Sequence, residues 1–342
     1  MKVLSLVVPA YNSERFLDKG IGSFLHEAVL DKLDIIIVND GSQDTTAQVA
    51  EKYCAMYPDS IRLISQENKG HGGALNTGCA AAVGKYLKVI DADDWIETDN
   101  LPAFISLLEN CDSDVVLTHY NTIDISTGEV KKWRSFPETF GKPLTMAQIM
   151  EDWKGFDRAL MFHGITYNTA FYHAKGISLS EHVFYEDHEF ATFPCCHAES
   201  VTPFDTFIYD YRIGDMTQSV SDTNQLKRIG HTAAVLERMI KEYATLDCSE
   251  GGKRYTAMKA QGLLLSYLTT ALLVEPDKKQ GRALASAMME KFRAELPEAW
   301  ALAQKKYLVF CLMNRLGVSK KTFQTVLQSK VYNKLRRNHD FK

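Results

Sequence analysis

Short apolar runs alternate with helical patterns over the first 118 residues of the chain. The apolar runs predict strands at Val3–Val8, Ile35–Val38, Ile61–Ser65, Tyr86–Ile90 and Val115–Thr118. The segments between them predict helices at Glu14–Leu30, Thr45–Tyr57, Gly73–Val83 and Asn100–Glu109. This alternation is typical of an α/β fold with a mixed, mostly parallel sheet and helices on both of its faces.

The middle third of the chain is less regular. Tyr120–Ser126 and Glu129–Phe136 predict a hairpin that turns at Thr127-Gly128. The segment from Thr145 to Gln148 has the pattern of a capping box, which opens a helix. A further strand is predicted at Thr206–Arg212.

The pattern turns helical from Asp222 onward, where apolar residues recur at intervals of three and four. Further helical stretches follow near residues 255–274, 281–295 and 298–313. We therefore expect an α/β part at residues 1–220 and a helical C-terminal region with a basic tail at residues 221–342. Two domains also agree with the length of 342 residues, at ~150 residues per domain.

Composition narrows the class of protein. Apolar residues make up 45% and charged residues 24% of the chain, which excludes a disordered, collagen-like or disulfide-stapled protein. The net charge of −4 gives no reason to expect a nucleic-acid partner. Seven cysteines without a Cys-x-x-Cys pair are expected to be reduced thiols in a cytoplasmic protein.

Two apolar stretches can be compared with membrane and targeting segments. The run that ends at Pro9 is short and β-branched, so we expect a first strand rather than a signal peptide. Ala260–Val274 contains polar residues and is shorter than the ~20 apolar residues that a span needs. We therefore expect this second stretch to be a buried helix.

Charge is unevenly distributed along the chain. Residues 301–342 hold ten Lys or Arg residues and one acid, Asp340, for a net charge of +9, so residues 1–300 carry −13. A solvated helical face and attraction to an anionic membrane surface are both open interpretations of the basic segment. Apolar residues at 308–313 would join such a contact if they were exposed, whereas burial in the helical core is the default expectation.

Three carboxylates follow the predicted strand that ends at Ile90, in the sequence Asp91-Ala92-Asp93-Asp94. Ligands of open α/β sheets bind beyond the carboxyl ends of the strands. Clustered carboxylates repel one another unless a cation joins them, and Mg²⁺ takes one or two carboxylates plus substrate phosphates. The pattern therefore predicts a metal–diphosphate site, with an acidic turn that caps a helix as the alternative.

Two other loops also follow predicted strands. Asp40 stands at a strand end, where its carboxylate could accept from a pyrimidine base or a ribose hydroxyl, whereas Asp44 is interpreted as a helix cap. In the segment from Asn68 to Gly78, the glycines would let the backbone approach a ligand. Close packing of a helix on the sheet is the alternative for these glycines.

A second acidic cluster lies in the segment from Phe184 to Phe190, where Glu186, Asp187 and Glu189 surround a histidine. A carboxylate in such a cluster can act as a general base if its geometry suits. The alternative is an exposed first helical turn, where the helix dipole favours acids.

The order of these motifs resembles that of the family 2 glycosyltransferases. The matching pieces are Val8-Pro9-Ala10-Tyr11-Asn12, Val38-Asn39-Asp40-Gly41-Ser42, Asn68-x-Gly70, Asp91-Ala92-Asp93-Asp94 and Glu186-Asp187-x-Glu189-Phe190. Tyr209-Asp210-Tyr211-Arg212 with Gln218-Ser219 is similar to the closing segment of that family. The resemblance covers residues 1 to about 220, and five weak motifs in one order make it specific.

The resemblance implies a GT-A fold, which is a Rossmann-like α/β architecture. It places a nucleotide-binding half at residues 1–118 and an acceptor half at residues 119–220. It implies an inverting, metal-dependent hexosyltransferase that moves a sugar from a nucleoside diphosphate donor, usually UDP-linked, to an acceptor hydroxyl. It further implies a saccharide or lipid-linked saccharide acceptor and a role in surface polysaccharide or glycolipid synthesis. From the reduced cysteines we expect a place in the cytoplasm, and the basic C-terminus leaves open a peripheral contact with the inner face of the cell membrane.

The resemblance also assigns residues to the nucleotide site, one position at a time. It places the base and ribose near Pro9, Tyr11, Glu14, Asp40, Asn68 and Gly70, with Asp40 reading the base. Asp91 would lie near the ribose and diphosphate, and Arg212 would contact a phosphate or a loop.

The catalytic groups follow from the same resemblance. Asp93 would be the main ligand of Mg²⁺ or Mn²⁺, and Asp187 would be the catalytic base with Glu186 in support. The acceptor hydroxyl would attack the anomeric carbon from the face opposite the diphosphate and give its proton to Asp187. The metal would offset charge on the leaving diphosphate. The two acidic clusters must therefore face each other across the sugar.

The sequence departs from the family at Leu75, where an arginine is frequent. A phosphate contact could then come from Lys69, His71 or Lys88, or from backbone N–H groups of the glycine-rich segment that begins at Gly70. Aromatic residues of the middle third are candidates for a sugar pocket, with core packing as the default; they are Trp133, Trp153, Phe162, His163 and Tyr167.

Two other functions compete with glycosyl transfer. A sugar-phosphate nucleotidyltransferase would carry a glycine-rich basic loop after the first strand, where this chain has Pro9-Ala10-Tyr11-Asn12. A catalytically inactive scaffold that only binds a nucleotide-sugar is the second alternative. The presence of Asp93 and Asp187 counts against it.

Overall fold

The computed structural model describes residues 1–135, 139–214 and 222–328. The chain divides into two compact units, Met1–Met216 with Asp247–Thr256, and Thr217–Leu246 with Ala257–Lys342. The expected boundary between residues 220 and 221 lies outside the described residues, as do Phe136, Gln218, Ser219 and the tail from residue 329.

Nine strands within the described residues form one mixed sheet. They are β1 (Leu4–Ala10), β2 (Leu33–Asp40), β3 (Ile61–Gln66), β4 (Tyr86–Val89), β5 (Trp95–Ile96), β6 (Val115–Asp124), β7 (Val130–Trp133), β8 (Ile165–Asn168) and β9 (Val201–Ile213). Their order is β3-β2-β1-β4-β8-β6-β9-β5, and β7 pairs with β6. The pairs β2–β3, β1–β2 and β1–β4 are parallel, so these four strands end along one edge of the sheet.

The second half of the sheet mixes strand directions. β8 runs antiparallel to both β4 and β6, whereas β9 runs parallel to β6 and antiparallel to β5. The helices of this unit are α1 (Glu14–Phe24), α2 (Thr46–Met56), α3 (Gly70–Ala81), α4 (Leu101–Glu109), α5 (Met146–Glu151), α6 (Trp153–Phe156), α7 (Thr169–Lys175) and α8 (Asp187–Thr192). Short 3-10 helices lie at Leu30–Lys32, Thr98–Asn100, Phe162–Gly164 and Cys195–His197.

Alternate residues of the central strands face opposite helical layers. Leu4 and Leu6 of β1 belong to the apolar core under α1, α2 and α4. Val7 faces the other layer, where a Cβ on Gly78 of α3 would lie 2.3 Å from Val7 Cγ1. The predicted α/β sheet with helices on both faces is confirmed, and close packing on the sheet explains this glycine of α3.

The predicted strands and most of the predicted helices are confirmed, and α1 differs at its end. The pattern predicted a helix to Leu30, whereas α1 ends at Phe24. The Ser23 carbonyl accepts from Thr98 Oγ1 at 2.8 Å, and Ser23 Oγ accepts from the Ile96 N–H at 3.1 Å. The polar groups of the last turn of α1 are thus hydrogen-bonded to the segment that follows β4. A local sequence pattern does not show such a long-range contact.

The irregular middle third forms the two local features that the sequence predicted. β6 and β7 form a hairpin in which the Gly128 N–H donates to the Asp124 carbonyl at 2.7 Å. The capping box at the start of α5 is complete, since Thr145 and Gln148 accept from each other's backbone N–H.

The described helices after residue 221 are α9 (Asp222–Lys227), α10 (Ile229–Ala244), α11 (Glu250–Thr269), α12 (Lys278–Glu295), α13 (Pro297–Arg315) and α14 (Lys320–Gln328). A π-helical turn, Thr270–Val274, continues α11. The buried side chain of Asn314 donates to the Leu272 carbonyl at 2.7 Å and accepts from Arg282 Nη1 at 2.6 Å. Asn314 thereby satisfies a carbonyl within the widened turn.

The helix Glu250–Val274 is long and apolar enough to cross a membrane by length and composition alone. In its most apolar window, 61% of the residues are buried within the protein. Leu264, Leu268 and Leu272 are fully buried. The burial agrees with the expectation of a core helix for Ala260–Val274.

Asp210 of β9 is a buried carboxylate outside the acidic motifs. Its Oδ1 accepts from Asn121 Nδ2 at 2.7 Å, and the same amide donates to Glu97 Oε1 at 2.9 Å. Burial raises the pKa of Asp210 to about 6; the Asn121 hydrogen bond opposes this rise, and the charge of Glu97 adds to it.

We predict that Asp210→Asn stabilises the protein by about 1–3 kcal/mol at pH 7.5. A carboxyl whose folded pKa exceeds its unfolded value favours folding while protonated, so this contribution is lost as pH rises from ~4 to ~6. The asparagine stays neutral and still accepts from Asn121. Urea unfolding at pH 7.5 and pH 5 should show the gain shrinking by about half at the lower pH. A gain of equal size at both values would contradict the assignment.

Candidate active site

The first acidic cluster lies in the turn between β4 and β5, beyond the carboxyl end of β4. Asp94 is the buried member of this cluster, and its Oδ2 accepts from Tyr209 Oη at 2.6 Å. Its Oδ1 accepts from the Arg212 N–H at 2.7 Å, while Tyr209 Oη accepts from the Asp91 N–H at 3.1 Å. Burial, followed by the charges of Asp91 and Asp93, raises the pKa of Asp94 well above its usual range. Through these hydrogen bonds, Asp94 attaches the turn that follows β4 to strand β9.

Asp93 is the more accessible carboxylate, with 38% of its side chain exposed. Its Oδ2 lies 3.2 Å from Arg212 Nη1, and the Arg212 guanidinium lies 4.7 Å from the Phe16 ring centre. Burial and the charge of Asp91 raise the pKa of Asp93, and the Arg212 charge opposes that rise. The structure thus brings together the predicted metal ligand and the predicted phosphate contact, because β9 runs beside this turn.

His71 joins the first acidic cluster to the second. Its Nε2 lies 2.9 Å from Asp91 Oδ1, and its Nδ1 lies 2.5 Å from Glu186 Oε1. Glu186 is buried, whereas 36% of the His71 side chain is exposed. Burial alone would lower the pKa of His71, but the carboxylates of Asp91 and Glu186 raise it well above its usual range. A protonated imidazole therefore bridges Asp91 and Glu186, which lie 20 and 115 residues from His71 along the chain.

Glycines let the start of α3 approach the segment before α8. Gly70 has φ +75°, and a Cβ there would lie 2.9 Å from the His182 nitrogen. A Cβ on Gly72 would lie 2.1 Å from the Ser180 oxygen and 3.0 Å from Glu186 Cγ. A side chain at Gly72 would displace the segment that carries Glu186. Close packing of the backbone therefore explains these glycines.

Glu186 and Asp187 are presented by a constrained turn. Tyr185 has φ +75°, a conformation that a bulky side chain rarely adopts. Glu189, in the first turn of α8, accepts from the Ser180 N–H at 2.8 Å and from Ser180 Oγ at 2.7 Å. Glu189 is therefore a structural anchor, whereas Glu186 points to His71 and Asp187 begins the helix.

Asp187 acts electrostatically on ring side chains that lie near the first acidic cluster. Its charge, with that of Asp91, acts on His163, and it also acts on Tyr211. The His163 ring centre lies 4.2 Å from that of Tyr211. Burial lowers the pKa of His163 to about 4 against the opposing charges of Asp91 and Asp187, so this ring is neutral.

The remaining predicted nucleotide residues surround the ends of β1 and β2. Pro9 is in β1 opposite Val38, and the Tyr11 side chain is half exposed. Glu14 Oε2 accepts from the Thr45 N–H at 2.9 Å, which ties the starts of α1 and α2 together. The predicted roles of these residues in a base pocket stay predictions.

Asp40 and Asn68 belong to one hydrogen-bonded turn. Asp40 is buried, and its Oδ1 accepts from Gln66 Nε2 at 2.7 Å and from the Lys69 N–H at 2.8 Å. Asn68 Nδ2 donates to the Asp40 carbonyl at 2.9 Å. The two residues that the sequence placed at the nucleotide are thus neighbours, and Gly70 follows directly. Base recognition by Asp40 stays a prediction.

Lys88 does not supply the phosphate contact that Leu75 leaves open. Its side chain is fully buried, and Nζ donates to the carbonyls of His163 at 2.7 Å and Ile165 at 3.1 Å. Burial lowers the pKa of Lys88 to about 7. The lysine instead holds the segment that carries His163 in place through these two hydrogen bonds.

Most of the aromatic candidates for a sugar pocket belong to the core. Tyr167 and Phe162 are buried, and Trp153 packs against Tyr255 with ring centres 6.0 Å apart. Trp133 stacks on Tyr120 at 6.3 Å. Of the five candidates, His163 is the one on which the charges of Asp91 and Asp187 act. The sequence did not indicate the rings that surround it.

Comparison with known proteins identifies the class. The model of the family described as Glycosyl transferase family 2 matches residues 5–180, just over half of the chain. EpsH of Bacillus subtilis (strain 168), provisionally described as a glycosyltransferase, is 31% identical over 215 residues, which cover 61% of this chain and 60% of EpsH. The chain thus spans less than two thirds of that relative.

Solved structures show the same fold. Staphylococcus aureus TarS 1-349 in complex with UDP-GlcNAc has a TM-score of 0.61 and 19% identity, with 93% of each chain covered. The mannosyltransferase PcManGT of Pyrobaculum calidifontis, in complex with GDP-Man and Mn²⁺, has a TM-score of 0.54 and 17% identity, covering 91% of this chain and 84% of its own. The expected GT-A fold is confirmed. The chain belongs to glycosyl transferase family 2.

We predict that His71→Gln lowers the free energy of unfolding by about 1–2 kcal/mol at pH 6, a modest loss because the imidazole is partly exposed. A histidine whose folded pKa is raised contributes fully below its unfolded pKa and loses that contribution as pH rises through the folded value. The loss should therefore be smaller at pH 9 in urea unfolding. His26→Gln, outside the site, is the matched control. Equal losses at both pH values would argue against a charged bridge.

Proposed function

We propose that the protein transfers a sugar from a nucleoside diphosphate donor to an acceptor hydroxyl, with inversion at the anomeric carbon. The observation that carries this proposal is the contact of His71 with both Asp91 and Glu186. It brings the acidic turn after β4 and the acidic start of α8 to one site, as a donor group and a catalytic base require.

Asp187 has the role of general base in this proposal. The acceptor oxygen forms a bond to the anomeric carbon as its proton passes to the Asp187 carboxylate. The bond between the anomeric carbon and the diphosphate oxygen breaks, and its electron pair leaves with the diphosphate. His71 holds Glu186, so the turn that presents Asp187 is fixed in relation to Asp91.

The site is chemically suited to a divalent cation. Acidic side chains outnumber the cationic partners His71 and Arg212 among the described residues of the site. The acidic side chains are Asp91, Asp93, Asp94, Glu186 and Asp187. An anionic diphosphate needs further positive charge there. Within the described ranges no group of three His, Cys, Asp or Glu side chains is placed to hold a metal ion, so a cation bound here would need substrate phosphates and water as further ligands.

Asp93 is the side chain proposed to hold the cation, since it is exposed and lies beside Arg212. When bound, Mg²⁺ or Mn²⁺ would offset the charge that develops on the leaving diphosphate. Arg212 would share that charge through the same carboxylate or through a phosphate.

A UDP-sugar is the proposed donor. The likeness to TarS in complex with UDP-GlcNAc supports this choice, and the likeness to PcManGT in complex with GDP-Man and Mn²⁺ makes GDP the second base to test. The proposed acceptor is a saccharide or lipid-linked saccharide used in surface polysaccharide or glycolipid synthesis. All seven cysteines lie in the described parts of the chain as thiols outside any disulfide, which supports a cytoplasmic place of action.

We predict that UDP binds with Mn²⁺ at least tenfold more tightly than with a chelator, and that Asp93→Ala removes this difference. Titration calorimetry with UDP, GDP and CDP measures it. Asp112→Ala is the matched control, because Asp112 is a surface carboxylate with 93% of its side chain exposed. Metal-independent binding would exclude the proposed role of Asp93, and no binding of any nucleotide would contradict the proposed function.

We predict that Asp187→Asn lowers kcat by about 10²- to 10⁴-fold while UDP affinity changes less than twofold. The amide has the shape of the carboxylate but does not accept the proton. Release of UDP from UDP-sugars, with a panel of saccharide acceptors, measures kcat. Glu181→Gln, an exposed acid just before the second cluster, should behave like the wild type. A variant with full turnover would remove Asp187 from the mechanism.

A further inference from the structure

An exposed apolar stripe runs along α13. Five large apolar side chains in this helix and at its end are at least half exposed: Leu302, Leu308, Val309, Leu312 and Leu316. They are five of the thirteen exposed large apolar side chains among the described residues, and they fall within 15 positions of the chain. Such clustering marks an interaction surface rather than the usual scatter of single apolar residues.

The stripe is distinct from the face of α13 that packs into its own unit. Ala299, Ala303, Phe310 and Asn314 form the buried face. The exposed residues follow helical spacing, with Leu302, Val309 and Leu316 seven residues apart and Leu308 four residues before Leu312. The helix is therefore apolar on two faces, of which its own unit buries one. The default expectation for the apolar residues at 308–313 was burial in the core. Phe310 is buried as expected, whereas the exposure of Leu308, Val309 and Leu312 corrects that expectation.

The chain is basic beyond the first turn of α13; that turn carries the acid Glu298, and Lys320 of α14 is paired with Asp222. Between Ala299 and Gln328 the chain has five cationic residues, Lys305, Lys306, Arg315, Lys320 and Lys321, and no Asp or Glu. Lys305, Lys306 and Arg315 are exposed on α13 itself. Basic side chains that accompany an apolar face are typical of a helix that lies in the plane of an anionic membrane surface.

Charge selects between the occupants that could cover the stripe. A second copy of α13 would place this basic face against itself, and like charges repel. Residues 329–342 carry five further Lys or Arg residues against Asp340, so they too would bring positive charge to a positive surface. An anionic lipid surface offers both acyl chains for the leucines and phosphates for the lysines and arginine.

We propose that α13 binds the surface of a membrane that contains anionic lipids. The stripe of leucines and Val309 enters the boundary between headgroups and acyl chains, and the flanking cations pair with lipid phosphates. The stripe shares no residue with the carboxylate site, so this proposal does not depend on which donor or acceptor the protein uses.

Vesicle flotation of the full chain tests the proposal. The wild type should float with phosphatidylcholine vesicles that contain a quarter phosphatidylglycerol, stay behind with pure phosphatidylcholine, and detach as salt is raised. The variant Leu308→Gln/Leu312→Gln/Leu316→Gln should bind the anionic vesicles at least tenfold more weakly. Lys305→Glu/Lys306→Glu/Arg315→Glu should show a similar loss.

A matched control removes apolar surface elsewhere. Met56→Gln/Val83→Gln/Ile125→Gln changes three exposed apolar residues outside α13 and should bind vesicles like the wild type. Thermal melting should show all three variants folded, and UDP binding should be unchanged in the stripe variant. Equal flotation of stripe and control variants would overturn the proposal. So would a wild-type dimer in light scattering that the stripe variant converts to a monomer, because a second copy would then cover the stripe.

Discussion

Repulsion among carboxylates is the constraint on which the site depends. Five acidic side chains gather where β4 ends and α8 begins, and burial makes their negative charges more costly. The chain meets this cost with partners from distant elements: Arg212 of β9 beside Asp93, Tyr209 beside Asp94, and His71 of α3 between Asp91 and Glu186. Each partner also holds a loop in place. The contacts that neutralise the charge of the site therefore also set its geometry.

Backbone packing makes the central partner available. His71 reaches both carboxylates because α3 starts against the segment before α8, at a distance that a Cβ on Gly72 would prevent. The same helix lies close to β1 through Gly78. A glycine-rich segment that suggested a phosphate loop is thus explained by two close contacts of one helix, with the sheet on one side and with the second acidic cluster on the other.

The sequence predicted most of the fold because its signals are local. Apolar runs located the central strands, and the capping box at Thr145 and the turn at Gly128 were legible in a few residues. The order of motifs located both acidic clusters. Contacts between residues distant in the sequence could not be predicted. The end of α1 depends on Thr98, and the burial of Lys88 depends on two carbonyls more than 70 residues away. No local pattern encodes such pairs.

The His71 bridge has a thermodynamic consequence for the order of events in the site. An imidazole has two nitrogens, and here each faces a carboxylate, one on the turn after β4 and one before α8. A ligand that draws Asp91 away from the ring changes the environment of Glu186, and a ligand that displaces Glu186 changes that of Asp91. Binding free energies on the two sides are therefore linked, and such linkage is reciprocal. If ligands bind on both sides as proposed, this one histidine couples their affinities.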